Sequence, residues 1–332
     1  MSAKGVAMVT LPDEMRAVVV YEPGGPEVLR LERRPVPPVR EGWSLVRVRA
    51  RGLNHSEVFT RKGLSPSVKF PRVLGIECVG EVASTTDPSR LPIGEKVISI
   101  MGEMGRDFDG SYADYVLLPN DQIHPVESGL PWEALAAIPE TCYTAYGSML
   151  NMRLTSGQSI LVRGATSGVG IAFARLARAM VPGVCLLGST RSMAREDLLI
   201  RNGFDEAVLD LDGSLQVKGR PFDRVLELVG PATLKDTCAH VREGGIVCSA
   251  GQLGGKWYMD GFDPIVDLPP DGCLTSFYSG NVRGERLAEL VSRIEKNDID
   301  VWPEKVFTLD RMEDAHRFLE GPHCFGKIVV TE

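Results

Sequence analysis

The stretch Leu161–Ala177, LVRGATSGVGIAFARLA, decides how the 332-residue chain is read. With Ser159 and Ile160 before it, it runs as a short apolar strand, breaks at small residues and resumes with the apolar spacing of a helix. A tight turn would need only the small residues. A phosphate cradle also needs the strand before and the helix after, because the first N–H groups of a helix lack intrahelical partners and the macrodipole there is positive. Both flanks are present. Set against the G-x-G-x-x-G dinucleotide fingerprint, the aligned positions hold Ala165, Ser167 and Gly170, with further glycines at Gly164 and Gly168. The replacements are small and Gly170 still lets helix approach strand. A dinucleotide site is therefore expected, with Ser167, Gly168 and Val169 presenting N–H groups to a pyrophosphate; a plain turn is the competing reading.

Outward from this stretch, strand and helix patterns alternate: VCLLGS, MAREDLLIRNG, EAVLDL, DRVLELVG, ATLKDTCAHVR, GGIVCSAG and CLTSFYSG follow in order. That is the rhythm of a parallel sheet covered by helices. One crossover is stunted, since DGSLQVKGRP (Asp212–Pro221) is too short and too polar for a full helix. Val229-Gly230 and Gly251 close two of the strands at their carboxyl ends, where ligands of open α/β sheets bind. Toward the N-terminus, after a loose arm to about Asp13, short β-branched runs punctuated by Pro and Gly fill Met15 to about Asp121. This reads as a strand-rich barrel or sandwich. The helical pattern begins at Trp132, and the closing FGKIVVTE returns to strand and is expected to rejoin the first unit. There is no internal repeat and no low-complexity tract.

At 43% hydrophobic and 24% charged residues, the chain has an ordinary globular composition, long enough for two cores. A formal charge of −7 argues against a surface built for nucleic acid or anionic lipid, while a local basic pocket for a small anion stays open. The seven cysteines are scattered with no C-x-x-C, which suggests neither a disulfide framework nor a thiolate zinc knot but free thiols in a reducing compartment. There is no apolar core of secretory length and no run of the ~20 apolar residues that a membrane span needs. A cytoplasmic protein is expected, with no nucleic-acid and no membrane partner.

The choice of dinucleotide is read from the end of the second strand, where an acid about twenty residues past the glycines would bind the adenosine ribose 2′-OH. No acid stands there. VCLLGS runs into Ser189, Thr190, Arg191, Ser192 and Arg195, hydroxyl and guanidinium groups suited to a 2′-phosphate, which favours NADP(H). The competing reading makes Arg191 and Arg195 solvated charges beside Glu196 and Asp197.

Together with GATSGVG, the motifs RGLNHSEVFTRKG, FPRVLGIECVGEV, PIGEKVISI, TCYTAYGSML, FDRVLELVG, GGIVCSAGQ and GKIVV stand in the order of one family. The chain resembles the medium-chain dehydrogenase/reductase superfamily in its zinc-independent quinone oxidoreductase branch. The resemblance implies an α/β fold: a GroES-like β-rich catalytic domain, residues 1–130 completed by about 301–332, and a doubly wound Rossmann NADP(H)-binding domain, residues 131–300. It also implies a cleft between them and a homodimer formed through Rossmann edge strands. Where zinc relatives carry C-H-[TS]-D, this chain has Asn54-His55-Ser56-Glu57; where they carry G-H-E-x-x-G, it has Gly75-Ile76-Glu77-Cys78-Val79-Gly80. Asn and Ile supply neither thiolate nor imidazole, the third slot falls near Glu140, and the four-cysteine lobe of the structural zinc is absent, so no bound metal is expected.

Without zinc to polarise an alcohol oxygen, reduction of an electrophilic quinone or enone by NADPH is the expected chemistry. By resemblance Asn54 and Thr144 lie near the nicotinamide, and Val229, Gly251 and Lys327 reach the cofactor, Lys327 having a surface charge as its alternative. His55 is the candidate proton donor or phosphate contact, or else a structural histidine. Tyr112, Tyr143 and Tyr278 are further, unranked donors. An enoyl-thioester reductase of the same fold and a non-catalytic NADPH-binding sensor or structural protein are the alternatives.

Overall fold

A computed structural model describes residues 11–218 and 222–332. The first ten residues of the expected N-terminal arm and residues 219–221 of the stunted crossover lie outside the described residues. In chain order the strands are β1 (Glu14–Val20), β2 (Arg30–Pro35), β3 (Trp43–Leu53), β4 (Arg72–Val73), β5 (Glu77–Thr85), β6 (Lys96–Ile100), β7 (Tyr115–Pro119) and β8 (His124–Pro125). They continue as β9 (Ser159–Arg163), β10 (Cys185–Thr190), β11 (Glu206–Leu211), β12 (Ser214–Leu215), β13 (Phe222–Glu227), β14 (Val241–Ser249), β15 (Cys273–Ser276), β16 (Lys305–Thr308) and β17 (Ile328–Thr331). The helices are α1 (His55–Arg61), α2 (Trp132–Ala136), α3 (Pro139–Met152), α4 (Gly168–Met180), α5 (Glu196–Arg201), α6 (Leu234–Ala239), α7 (Pro264–Asp267), α8 (Gly284–Lys296) and α9 (Met312–Leu319).

Two units form. The first holds the described residues up to Ala136 with Val306–Glu320 and Val329–Glu332; the second holds Ala137–Lys305 and Gly321–Ile328.

In the first unit the period-two runs pair antiparallel, β3 with β5 and β7, β5 with β6, and β6 with β8. Together with β16 and β17 they make a seven-stranded sheet, beside a small sheet in the order β2-β1-β4. Alternate residues Val46, Val48, Val82, Val97 and Leu118 turn into one apolar core, as the pleat requires. A buried polar chain ties α9 to this unit. Arg61 Nη1 lies 3.0 Å from His316 Nδ1, and Tyr112 Oη lies 3.0 Å from His316 Nε2. A guanidinium only donates, so Nδ1 accepts and Nε2 carries the ring proton toward Tyr112. Burial, then the neighbouring Arg61 charge, push the His316 pKa down to about 3, which keeps the ring neutral.

In the second unit the sheet order is β12-β11-β10-β9-β13-β14-β15. All neighbours are parallel except β12, which runs antiparallel on β11. Strands covered on both faces read as continuous apolar runs, which is why ILV, LL and VL fill β9, β10 and β13. The stunted crossover forms a hairpin: Asp212 and Gly213 take positive φ (50° and 82°) and turn the chain into β12. In place of a helix, Leu215 from the hairpin and Leu234 and Cys238 from α6 cover Leu161, Leu187, Val208 and Val225. No helix among the described residues is long and apolar enough to cross a membrane.

Candidate functional site

The turn expected to cradle a phosphate begins where β9 ends. Gly164 takes φ 82°, a conformation that costs glycine little, and its N–H donates to Ser189 Oγ at 3.0 Å. Ser167 is the N-cap of α4: its N–H and its hydroxyl both donate to the Gly164 carbonyl (3.1 and 2.8 Å), and Oγ accepts from Gly170 N at 3.2 Å. The N–H of Ser167 is thus engaged within the turn, and Gly168 and Val169 are the residues whose N–H groups have no acceptor inside the helix. Gly170 is required for packing, since a Cβ there would sit 2.5 Å from the Ala165 carbonyl oxygen. Ser167 also forms a parallel backbone bridge with Gly326. Lys327 follows, buried, its carbonyl accepting from Glu304 N at 2.8 Å. Gly168 and Lys327 share with Thr141, Arg175 and Glu304 the wall of a pocket of about 300 Å³.

At the end of β10, Ser189 and Thr190 are buried. The Ser189 hydroxyl holds Gly164, and Thr190 Oγ1 donates to Ser192 O (3.0 Å) and accepts from Ser192 N (3.3 Å). Arg191 is exposed. Arg195 donates to Cys324 O at 3.3 Å and to Pro322 O, so its guanidinium braces the segment that leads to Lys327. Within the set expected to meet a 2′-phosphate, Arg191 stands on the surface while Ser189, Thr190 and Arg195 hold backbone.

The ends of β13 and β14 meet closely. Gly230 has φ 90°, and a Cβ there would reach the Gly251 carbonyl oxygen at 2.5 Å, so Val229, Gly230 and Gly251 form one tight glycine-dependent patch. Its brace is Glu227, fully buried, whose Oε1 accepts from Val229 N (2.7 Å) and Gly230 N (3.0 Å). Burial pushes the Glu227 pKa up, opposed by the hydrogen bonds from Thr237, Gly230 and Val229 and by the Arg163 charge. Sequence reasoning missed Glu227 and Arg163, although a signal was present: each closes its strand as a charge directly after an apolar run, ILV before Arg163 and VL before Glu227. On α3, Thr144 donates to Glu140 Oε1 (3.1 Å), which also accepts from Ser279 Oγ (3.2 Å). Tyr143 accepts from Arg283 N at 2.9 Å, and Tyr278 is exposed.

In the first unit, Asn54 Nδ2 donates to Glu77 Oε1 (2.8 Å) and Glu57 Oε1 (3.4 Å), and Ile76 N donates to Glu57 Oε1 (3.4 Å). Asn54 is therefore drawn together with two buried carboxylates, and His55 opens α1 beside it, half-buried. The catalytic zinc slots do not fit the ion. Ile76 has no donor atom, and the Asn54 amide nitrogen is turned toward carboxylates. Among the described residues no group of three or more His, Cys, Asp or Glu could hold a metal.

Comparison with known proteins follows this geometry. The profile of the alcohol dehydrogenase GroES-like domain matches residues 40–128, and one described as zinc-binding dehydrogenase matches residues 202–330. Quinone oxidoreductase of Mus musculus is 30% identical over 252 residues, covering 72% of this chain and 74% of its own. The 2-methylene-furan-3-one reductase of Solanum lycopersicum is 28% identical over 338 residues, covering 99% of this chain and 82% of its own. A thermostable alcohol dehydrogenase of Pyrobaculum aerophilum shares the fold, with a TM-score of 0.83 at 22% identity over 96% of this chain and 100% of that one. The sheet order, the glycine-dependent turns and these similarities make one conclusion: the chain is an oxidoreductase of the medium-chain dehydrogenase/reductase superfamily, in its quinone oxidoreductase-like branch.

Proposed function

We propose that the protein is an NADPH-dependent, zinc-independent reductase of quinones or α,β-unsaturated carbonyl compounds. The observation that carries the proposal is that Asn54 and Ile76 stand at the positions where zinc relatives carry metal ligands, in a chain with a glycine turn leading from β9 into α4. Oxidation of an alcohol gains greatly from a Lewis acid on its oxygen; a conjugated acceptor is already electrophilic and needs a hydride donor held against it and a proton. Bound NADPH supplies that hydride.

The chain's own groups then divide the work. Gly168 and Val169 offer N–H groups to the pyrophosphate at the positive end of α4, and Lys327 adds charge beside them. Arg191 is the guanidinium assigned to the 2′-phosphate, and Arg195 acts through the segment it braces. Val229 and Gly251 allow close backbone approach, and Thr144 lines the same unit. His55 is the candidate proton donor. A homodimer paired through β15, the edge strand of its sheet, and a cytoplasmic location belong to the same reading. The similarity to a quinone oxidoreductase and to an enone reductase supports the substrate class. Steady-state oxidation of NADPH against a panel of quinones, enones and enoyl thioesters tests it: turnover is expected with the first two classes, whereas tight NADPH binding without turnover would contradict it.

A further inference from the structure

We propose that Glu227, acting with Thr237 and Arg163, is a positioning residue that sets the two turns on which the cofactor rests. The chain of contacts has one sense only. Arg163 is fully buried, and a guanidinium cannot accept. Its Nη1 donates to Thr237 Oγ1 at 2.8 Å, so the single hydroxyl hydrogen of Thr237 goes to Glu227 Oε2. Glu227 Oε1 in turn receives the N–H groups of Val229 and Gly230. Through Nε and Nη2 Arg163 is locked by Asp210 (2.8 and 3.0 Å) and the Gly213 carbonyl (2.7 Å), and Nη1, beside its contact with Thr237, also faces Asp236 (2.7 Å) and the Thr233 carbonyl (3.1 Å). The Arg163 carbonyl also accepts from Leu228 N at 3.1 Å, one residue before the Val229 turn and one residue after which Gly164 begins the cradle.

This strut joins β9, β11, β13 and α6 at the carboxyl ends of the strands. Burying two carboxylates and a guanidinium is costly, and an apolar cluster of Leu161, Val208, Phe222, Val225 and Leu234 already unites the same elements. What the polar strut adds is geometry: it specifies where two N–H groups and two left-handed glycines stand, which apolar packing cannot do. Thr237 is the link without a charge of its own, and its methyl can be kept while its hydroxyl is removed.

The inference rests on the reading that NADPH binds at the ends of β9 and β13, and the experiment separates the two. Thr237→Val, Thr237→Ser and Glu227→Gln are compared with wild type by amide hydrogen exchange at Val229 and Gly230 without nucleotide, by NADPH titration, and by the Michaelis constants for NADPH and for a quinone. Thr237→Val and Glu227→Gln are expected to exchange faster at these two amides and to raise the NADPH dissociation and Michaelis constants about tenfold, with the quinone constant unchanged. Thr237→Ser should restore both readouts. A lowered melting midpoint in Thr237→Val with unchanged exchange and unchanged NADPH affinity would overturn the proposal, because the strut would then be structural only. Should Thr237→Val fail to fold, Glu227→Gln decides on the same two readouts. If wild type binds no NADPH, the cofactor reading falls, and the exchange result still decides the strut.

Discussion

Ser167 and Gly326 are joined backbone to backbone, with the N–H of Gly326 donating to the Thr166 carbonyl at 3.2 Å. The N-cap of α4 and the segment leading to Lys327 thus form one piece, and Gly168 lies against it: a Cβ there would stand 3.2 Å from the Gly326 carbonyl oxygen.

The two glycines that flank Val169 should separate in their effects. Gly168→Asp places bulk and negative charge where the pyrophosphate is assigned, and asks Gly326 to yield by a few tenths of an ångström. A modest drop in melting midpoint with lost NADPH binding is expected. Gly170→Ala meets the Ala165 backbone, which cannot yield as a side-chain tip does, and should cost about 1–3 kcal/mol of stability. Thermal unfolding and calorimetric titration of both variants give the comparison; equal destabilisation with equal affinity loss would argue against the cradle.

Arg191 and Arg195 should differ in the same way. A lost charge-assisted contact amounts to about 1.5–3 kcal/mol, or roughly ten- to hundredfold in affinity. Arg191→Ala is expected to weaken NADPH by that amount and leave NADH unchanged. Arg195→Ala, which frees the Pro322 and Cys324 carbonyls, should weaken both nucleotides alike. Titration of each variant with both nucleotides checks this, and a selective loss of NADPH in Arg195→Ala would reverse the assignment.

Much of the second unit was legible in the sequence because its strands are buried on both faces and end in turn residues, a pattern that survives without tertiary information. The strand–turn–helix at Gly164–Gly170 was legible for the same local reason: its residues are consecutive. The hairpin at Asp212–Leu215 could be read only as a missing helix. Partners far apart in sequence could not be read at all. Arg163 and Thr237 are 74 residues apart, Arg61 and His316 are 255 apart, and Arg195 meets carbonyls more than a hundred residues away. Which distant group a buried charge such as Arg163 meets is said by the fold alone.

His316 gives a pH dependence of defined sign. Its folded pKa of about 3 lies below the ordinary value near 6.5, so between those limits the unfolded chain binds the additional proton. Stability is fully present above about pH 6.5 and falls as pH drops through this window, by at most about 1.4 kcal/mol per pH unit. Urea unfolding at about pH 7.5 and about pH 5 should show a larger acid loss in wild type than in His316→Gln. Equal losses would mean that the ring titrates normally.

The account turns most directly on turnover in the absence of metal. Purified protein is assayed for zinc by elemental analysis, treated with chelator, and followed by loss of the reduced-nicotinamide absorbance with NADPH and a quinone. No stoichiometric zinc and undiminished turnover after chelation are expected, since Asn54 and Ile76 offer no ligand set. One tightly held zinc per chain whose removal abolishes turnover would contradict the account.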